Sequence, residues 1–538
     1  MNWKLKKPLI PYSDTDRLYD KLCKIYGITD LSRFLDPPSS DLNDPYDLKN
    51  IEPAIKRITN AINDKEKITL FPDCDPDGCT SGAIMYRYLR NFTKNVDYIF
   101  GSRLKGHGLH TVIDKIPEDT NLLIVMDSSS ENWKECKELK NKGVDVIVID
   151  HHVVTTKNYY CILVNPQQDD CCYPNKNISG AALTWKVCQA IDEKLNTNKS
   201  DDLCDLAAVG LLSDMMSMME PENRAIVNRG LGDILNVGLL AILKAKNKNP
   251  KYISSTDVVF SITPLLNAAA RLDRIDLVID LLLTDDQNEA KEIVNQIDSL
   301  NNERKIEQAS HYNRIKSKIL YYDNIIIVFD DEVSKSYSGL IAGEIANEYK
   351  KPCLILSKNN ATFNGSYRSY AGFDLKSFFD TLAETNGTGG HATAGGVFVE
   401  EEKIDDFINS VLDGLRDIEF QSENEYVLEF NADQINEQLI KNINYFYRIN
   451  GIDIPEGQFL FKGFFVDDKQ LIGKNQDTVK IECGDTYLMK FRTNKEFYDS
   501  IPLLSTIDVI GKPNLNYDFR LKQLVKQIYI EDYREAVD

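Results

Sequence analysis

Three short apolar runs, each ending in aspartate, constrain this chain more than anything else in its sequence. Ile68 to Phe71 leads into DCDPDGCTSG, which carries Asp73, Asp75 and Asp77. NLLIVM (121–126) leads into Asp127, and VDVIVI (144–149) leads into Asp150, His151 and His152. Between the last two lies a helical pattern, ENWKECKELKNKG, closed by Gly143, a residue suited to end a helix. Strands alternating with such helices predict a parallel α/β sheet. In open sheets of this kind ligands bind in the crevice beyond the carboxyl ends of the strands, which is where the acids fall. Like charges repel, so grouping them makes sense only around cations. Carboxylates with one imidazole suit hard or borderline divalent ions such as Mn²⁺ or Mg²⁺. An EF-hand would need Glu six residues after Gly78, and Ile84 stands there, so that reading is dropped.

The chain has six histidines in 538 residues, and two are adjacent in DHH (150–152), directly after an apolar strand. Asp214, in LLSDMMSMM, adds a lone acid to a helix expected over Leu203 to Met219 and largely apolar, where an unpaired charge is costly to bury. Asp205 lies nine residues earlier, about 180° away on one continuous helix, so only one of the two can face the site, and Asp214 is the one expected there.

The rest of the chain divides by pattern. Residues 1–285 read as an α/β domain with an N-terminal extension over 1–60. A long helix from about Gln287 to Leu320, within 286–321, has Ala290, Ile293, Val294, Ile297 and Leu300 at a 3.6-residue period and reads as a spacer between domains. A second, smaller α/β domain is expected over 322–420, with a helix near Leu375 to Glu384 and a Gly-rich loop, NGTGGHATAGG. From 425 to 538, short alternating strands such as TVKIEC, TYLMKF and STIDVIG predict an all-β barrel.

Lys and Arg number 63 and Asp and Glu 83, so the net charge is −20 and no basic tail offers itself to nucleic acid. Any anionic ligand must meet a local patch or metal ions. Eleven cysteines are scattered without a CxxC pair, which excludes zinc-ribbon and thioredoxin readings and fits free thiols in a reducing cytoplasm. No apolar run has the length of a signal peptide or of a membrane span, so no membrane contact is expected.

The order DCDPDGCTSG, MDSSS, DHH, LLSDMM resembles the four motifs of the DHH phosphoesterases. SRLKGHGL (102–109), PLLNAAARL (264–272), GSYRS (365–369) and GGHATAGG (389–396) narrow the likeness to RecJ-type single-strand-specific exonucleases, over about residues 30–535. GGHATAGG is similar to the signature of the DHH-associated domain, and the β-rich tail looks like the family's OB-fold module. Three departures stand out: Ser128 follows Asp127 where the family has Asn, His107 replaces an aromatic residue, and Ala270 replaces Gly. They bear on stacking and specificity and remove no proposed ligand.

The resemblance implies two divalent ions, Mn²⁺ or Mg²⁺. Asp75 and Asp127, with Asp73, would hold one; Asp77, Asp127, His151 and Asp214 would hold the other, with Asp127 bridging. His152 would face the scissile phosphate and Asp150 would orient an imidazole. Ser366, Arg368, Gly390 and His391 would handle phosphate, and Arg103, Arg271 and Arg304 resemble the family's DNA-path residues. The implied activity is metal-dependent 5′→3′ degradation of single-stranded DNA to 5′-mononucleotides by a cytoplasmic monomer, with a single-strand-binding protein or a helicase as expected partners. Two rival readings compete with it. A phosphodiesterase for short oligonucleotides or cyclic dinucleotides would not need the β-rich tail. A non-catalytic scaffold would have lost metal ligands, and none is lost here.

Overall fold

Each of the apolar runs becomes a strand whose side chains are almost all buried, as parallel strands covered on both faces are. The computed structural model describes residues 3–6, 18–102, 106–322, 324–333, 335–420, 424–518 and 522–536. Strands β1 (Ile68–Pro72), β2 (Val96–Tyr98), β3 (Leu122–Met126), β4 (Asp145–Ile149) and β5 (Ile162–Val164) form an all-parallel sheet in the order β2-β1-β3-β4-β5. Helices α1 (Pro76–Leu89), α2 (Trp133–Asn141) and α3 (Gly180–Leu195) follow β1, β3 and β5. The carboxyl ends of β1, β3 and β4 thus deliver Asp73, Asp127 and Asp150 to one edge.

Further on lie α4 (Cys204–Ser213), α5 (Thr263–Arg271) and α6 (Gln287–Lys316). Two expectations are corrected here. The helix expected over Leu203 to Met219 ends at Ser213, because Met215 adopts a left-handed backbone (φ 55°) and the amides of Met215 and Met216 turn back to Leu212 and Leu211. Asp214 is therefore the residue that caps α4, not an acid inside an apolar helix. Nor is α6 only a spacer: Ala290, Ile293, Val294 and Ile297 are buried in the same core as the sheet and its helices.

A second sheet comprises β6 (Leu320–Tyr321), β7 (Ile326–Phe329), β8 (Cys353–Asn359), β9 (Thr362–Arg368), β10 (Thr385–His391) and β11 (Ala394–Glu400), in the order β10-β11-β9-β8-β7-β6. It carries α7 (Lys335–Tyr349), α8 (Leu375–Asp380) and α9 (Ile404–Leu415). The segment read as a Gly-rich loop is a β-hairpin, β10 with β11. Its small residues allow close strand approach: a Cβ on Gly395 would sit 2.1 Å from the Gly389 carbonyl oxygen. The expected helix to Glu384 stops at Asp380.

In the tail, β12 (Glu429–Asn431) and α10 (Glu437–Phe446) precede β13 (Phe459–Phe465), β14 (Asp468–Ile472), β15 (Thr478–Cys483), β16 (Thr486–Phe491), the short α11 (Lys495–Ser500), β17 (Thr506–Asp518) and β18 (Gln523–Glu535). The sheet order is β12-β13-β17-β18-β16-β15-β14. Strands β13 and β14 are nearly continuous in sequence yet lie near opposite ends of that order. The sheet therefore curls round as a small barrel, with β16 parallel to β18. The two helices correct the expectation of an all-β tail.

The chain forms two compact units, the first of residues 7–300 with 427–538 and the second of residues 1–6 with 301–426. The barrel therefore shares one unit with the first sheet, and their apolar residues merge into one core. At the junction Phe446 packs 5.3 Å from Phe34 between ring centroids. The buried Arg224 guanidinium lies 3.5 Å over the Phe34 ring and donates to the carbonyl oxygens of Phe34, Met218 and Ile449. Among the described residues no single helix is long and apolar enough to cross a membrane, and the cysteines are free thiols.

Arg224→Ala should leave three buried carbonyls without their donor and cost about 3 kcal/mol, at roughly 1–3 kcal/mol per orphaned group with partial relief by water. Ending the chain before Val427 should abolish the cooperative unfolding of the first unit. Circular-dichroism melting of both variants checks this; a truncated chain melting at the wild-type temperature would show that the shared core contributes nothing.

Candidate metal centre

The acids converge because each is placed by the end of an element. Asp73 follows β1, and Asp75 caps α1 by accepting from the Gly78 amide at 2.9 Å. Asp77, in the first turn of α1, accepts from the Gly180 and Ala181 amides at 2.7 and 3.1 Å, so the start of α3 holds it by charge-assisted hydrogen bonds. Asp127 leaves β3 with a left-handed backbone (φ 64°), a conformation an aspartate tolerates better than most side chains. His151 Nε2 lies 3.1 Å from Asp127 Oδ1, 3.4 Å from Asp214 Oδ2 and 4.0 Å from Asp77 Oδ2.

Three overlapping sets have ligand atoms within 4.8 Å of one another: Asp73, Asp75 and Asp127; Asp77, His151 and Asp214; and Asp127, His151 and His152. Asp127 belongs to two of them. Its Oδ1 is buried and, although the His151 imidazole lies 3.1 Å away, receives no hydrogen bond from the described residues. Burial and the charges of Asp77, Asp75 and Asp73 drive the Asp127 carboxyl far above the usual carboxylate range. Burial, with Asp77 and Asp75, pushes Asp214 up to about 7. Burial pushes His151 down, towards the neutral form that can bind a cation. Protein alone does not satisfy this donor set; divalent cations would.

Asp150 has a different environment. It is buried, yet the His152 ring, which lies 2.7 Å away through Nδ1, and the Ser130 hydroxyl overcome the penalty and pull its carboxyl down to about 2. The amides of Ser130, His151 and His152 also donate to it. The same contact lifts His152 to about 9 against the opposing effect of burial. With Nδ1 engaged, the Nε2 side of the ring remains for a ligand, and the side chain is 62% exposed. His107, replacing the expected aromatic, bonds Asp73 through Nδ1 at 2.8 Å. It lines, with Asp73, Ser128, Asp150 and His152, a cavity of about 220 Å³.

Asp205 is placed elsewhere: it accepts from the amides of Leu206, Leu235 and Asn236 and ties the start of α4 to the turn that caps the helix Val237–Ala245. Arg271 is exposed at the end of α5. Arg304, in α6, donates to the Asn301 side chain. Arg103 lies outside the described residues. In the second unit Ser366 and Arg368 stand on β9, and Gly390 and His391 end β10. Arg368 and His391 flank Ala394 of β11 in register. Ser366 Oγ lies 2.7 Å from Ser338 Oγ, and a Cβ on Gly339 would come within 2.8 Å of the Arg368 guanidinium, so both face the start of α7.

Several contributors were missed in the sequence. Ser130 and Asn165 complete the Asp150 network, since the Asn165 amide reaches Ser130 Oγ and the His152 carbonyl. Gly180 and Gly210 matter by lacking a side chain. A Cβ at Gly180 would stand 2.7 Å from Asp127 Oδ1, and one at Gly210 would stand 2.4 Å from Asp77 Oδ1. The available signal was the small-residue run SGAA (179–182), where Ser179 caps α3.

The model of the DHH family N-terminal domain matches residues 67–211, and that of the DHHA1 domain matches residues 322–417. The chain is 29% identical over 549 residues to the SPbeta prophage-derived protein YorK of Bacillus subtilis, with 94% of each covered. It is 28% identical over 507 residues to the single-stranded-DNA-specific exonuclease RecJ of the same organism, covering 90% of this chain and 63% of that one. Among solved structures, RecJ of Thermus thermophilus with Mn²⁺ superposes with a TM-score of 0.78 at 22% identity, over 100% of this chain and 80% of the other.

In metal-free protein, Asp127→Asn replaces a carboxyl that burial and its acidic neighbours already drive towards the neutral form. Its melting temperature should equal or exceed that of the wild type, while Mn²⁺ should no longer raise it. Gly180→Ala should lower the affinity for Mn²⁺ at least about tenfold, because the added methyl displaces the Asp127 carboxylate, with an overpacking cost of roughly 1–3 kcal/mol. Calorimetric titration and melting with and without Mn²⁺ check both; an Asp127→Asn protein that Mn²⁺ stabilises like wild type would remove Asp127 from the centre.

Proposed function

Because the chain is a RecJ-type DHH protein, we propose that it is a divalent-metal-dependent exonuclease that shortens single-stranded DNA from the 5′ end and releases 5′-mononucleotides. The observation that carries this is the convergence of Asp75, Asp77, Asp127, His151 and Asp214 around a buried Asp127 oxygen with no hydrogen-bond donor. Asp75 and Asp127, with Asp73, would hold one ion; Asp77, Asp127, His151 and Asp214 would hold the other. Bound there, divalent ions supply a nucleophilic water at neutral pH and neutralise charge on the phosphate.

The protein's own groups do the rest. His152, fixed through Nδ1 by Asp150, presents Nε2 to a non-bridging phosphate oxygen and stabilises the charge that grows there as water attacks. The P–O3′ bond breaks, the 3′ oxygen of the released nucleotide takes a proton, and the water oxygen stays on the new 5′-phosphate of the shortened strand. Asp150 acts through the imidazole it orients. Ser366, Arg368, Gly390 and His391 are assigned to phosphate binding, where the Arg368 fork suits a terminal phosphate. Arg271 and Arg304 are assigned to the strand backbone. The enzyme works as a monomer, and a single-strand-binding protein or a helicase supplies its strand.

Digestion of 5′-labelled and 3′-labelled single strands with Mn²⁺ tests this reading. The 5′ label should leave first, as a mononucleotide, a matched duplex should be spared, and chelation should stop the reaction. Release of the 3′ label first would reverse the polarity, and cleavage unaffected by chelation would remove the metal mechanism. His151→Ala should weaken Mn²⁺ binding. His152→Ala should keep Mn²⁺ binding and lower kcat by about 10²-fold or more, as loss of a transition-state donor does; the opposite pattern would exchange the two roles.

A further inference from the structure

We propose that Phe260 is a stacking platform for one unpaired base of the substrate strand, at the head of an exposed track along α5; this rests on the reading of the site as one for single-stranded DNA. Residues Val258–Ile262 form a π-helical turn that runs directly into α5. Such turns are rare and recur at functional sites. Phe260, Pro264, Asn267 and Arg271 follow at the i, i+4, i+7, i+11 spacing of one helix face. They are exposed or half-exposed, whereas residues 261–263, 265, 266 and 268–270 are buried. Phe260 is 76% exposed, more than any other phenylalanine among the described residues. Burying such a ring is ordinarily favourable, so a ring held out on a rigid turn is suited to a planar apolar ligand.

The ends of the track locate the ligand. At its start Ser254 and Asp257 form a capping box, the Ser255 amide donates to the Arg448 carbonyl at 2.9 Å, and the Asn450 side chain donates to Thr256 Oγ1 at 2.9 Å. These tie the turn to the segment that leads into the barrel. Thr263, at the margin of the track, meets Ser213 through their hydroxyls at 2.8 Å, one residue before Asp214. One helical run thus links the approach to the barrel with the metal centre. It offers an aromatic face at one end and a guanidinium at the other, on a chain whose net charge is −20. A planar base on Phe260 and a backbone phosphate near Arg271 match that sequence of groups. Stacking reads no particular base, because every base has a π face.

The test uses the full chain without divalent metal, so that the strand is bound but not cut. The probes are a single-stranded oligodeoxynucleotide carrying one 2-aminopurine and a series with one abasic site moved along it. In the wild type, 2-aminopurine fluorescence should be quenched at one position, and an abasic site there should weaken binding about 5- to 150-fold, the size expected for one stacked base. Phe260→Ala should weaken binding of the intact strand by a similar factor and lose the response to that abasic site. Phe260→Trp should keep both. If the wild type cuts and binds single strands while Phe260→Ala retains its affinity and its abasic response, the platform is refuted and the exonuclease reading stands. If the wild type neither binds nor cuts them, both are refuted.

Discussion

Mutual repulsion among carboxylates brought to one end of a parallel sheet is the constraint on which the rest of this structure depends. Asp73, Asp77, Asp127 and Asp150 are all nearly inaccessible to solvent, and none faces a lysine or arginine in the ion pairs of the described residues. The fold separates them by environment. Asp150 receives three amides, a hydroxyl and an imidazole, and is comfortable as an anion. Asp77 receives the start of a helix. Asp127 receives no hydrogen bond on Oδ1 and is left for whatever positive charge arrives. Such a gradient from satisfied to unsatisfied acids distinguishes a ligand site from a crowded turn.

The geometry around those acids sets the character of the neighbouring sequence. The α3 start must approach Asp127 and Asp77 so closely that Gly180 has no room for a methyl, and α4 passes Asp77 with Gly210 at the contact. The two imidazoles of DHH sit side by side, 4.6 Å between ring centres, in unlike surroundings. One is enclosed among carboxylates, and the other is tied to a single one and open to solvent. Adjacent identical residues thus acquire different protonation behaviour from position alone.

Much of the sheet and its acids could be read from the sequence because an apolar run followed by an acid reports both a strand and its end. The tail strands TVKIEC and TYLMKF fall at 478–483 and 486–491, since alternation and a tight turn are local signals. What could not be read was set by tertiary contact. Nothing in LLSDMMSMM announces that Met215 takes a left-handed backbone, so the helix ended earlier than its composition suggests. Glycines at 387, 389, 390, 395 and 396 resemble a loop until the strands pair, when a Cβ at Gly390 or Gly395 would meet backbone atoms within 2.7 Å. Asp205 and Asp214 are separable in the sequence only by helical phase; their partners, the amides of residues 235 and 236 for one and His151 for the other, are remote. The buried side of α6 likewise depends on which core it meets.

The merged core has a consequence for how the protein is made. The segment that completes the first unit begins at residue 427, after the intervening unit of residues 301–426 has been synthesised. Contacts such as that between the Tyr26 and Tyr447 hydroxyls close a loop of 421 residues. Pairings this distant in sequence form late and slowly, because the loop must be closed before they can contribute. During translation the inserted unit can fold by itself, whereas the sheet that bears the aspartates waits with apolar surface uncovered until residues 427–538 leave the ribosome. A nascent chain therefore cannot present the finished centre. A premature stop anywhere in the barrel would yield a sticky, unfinished polypeptide instead of a shorter working protein.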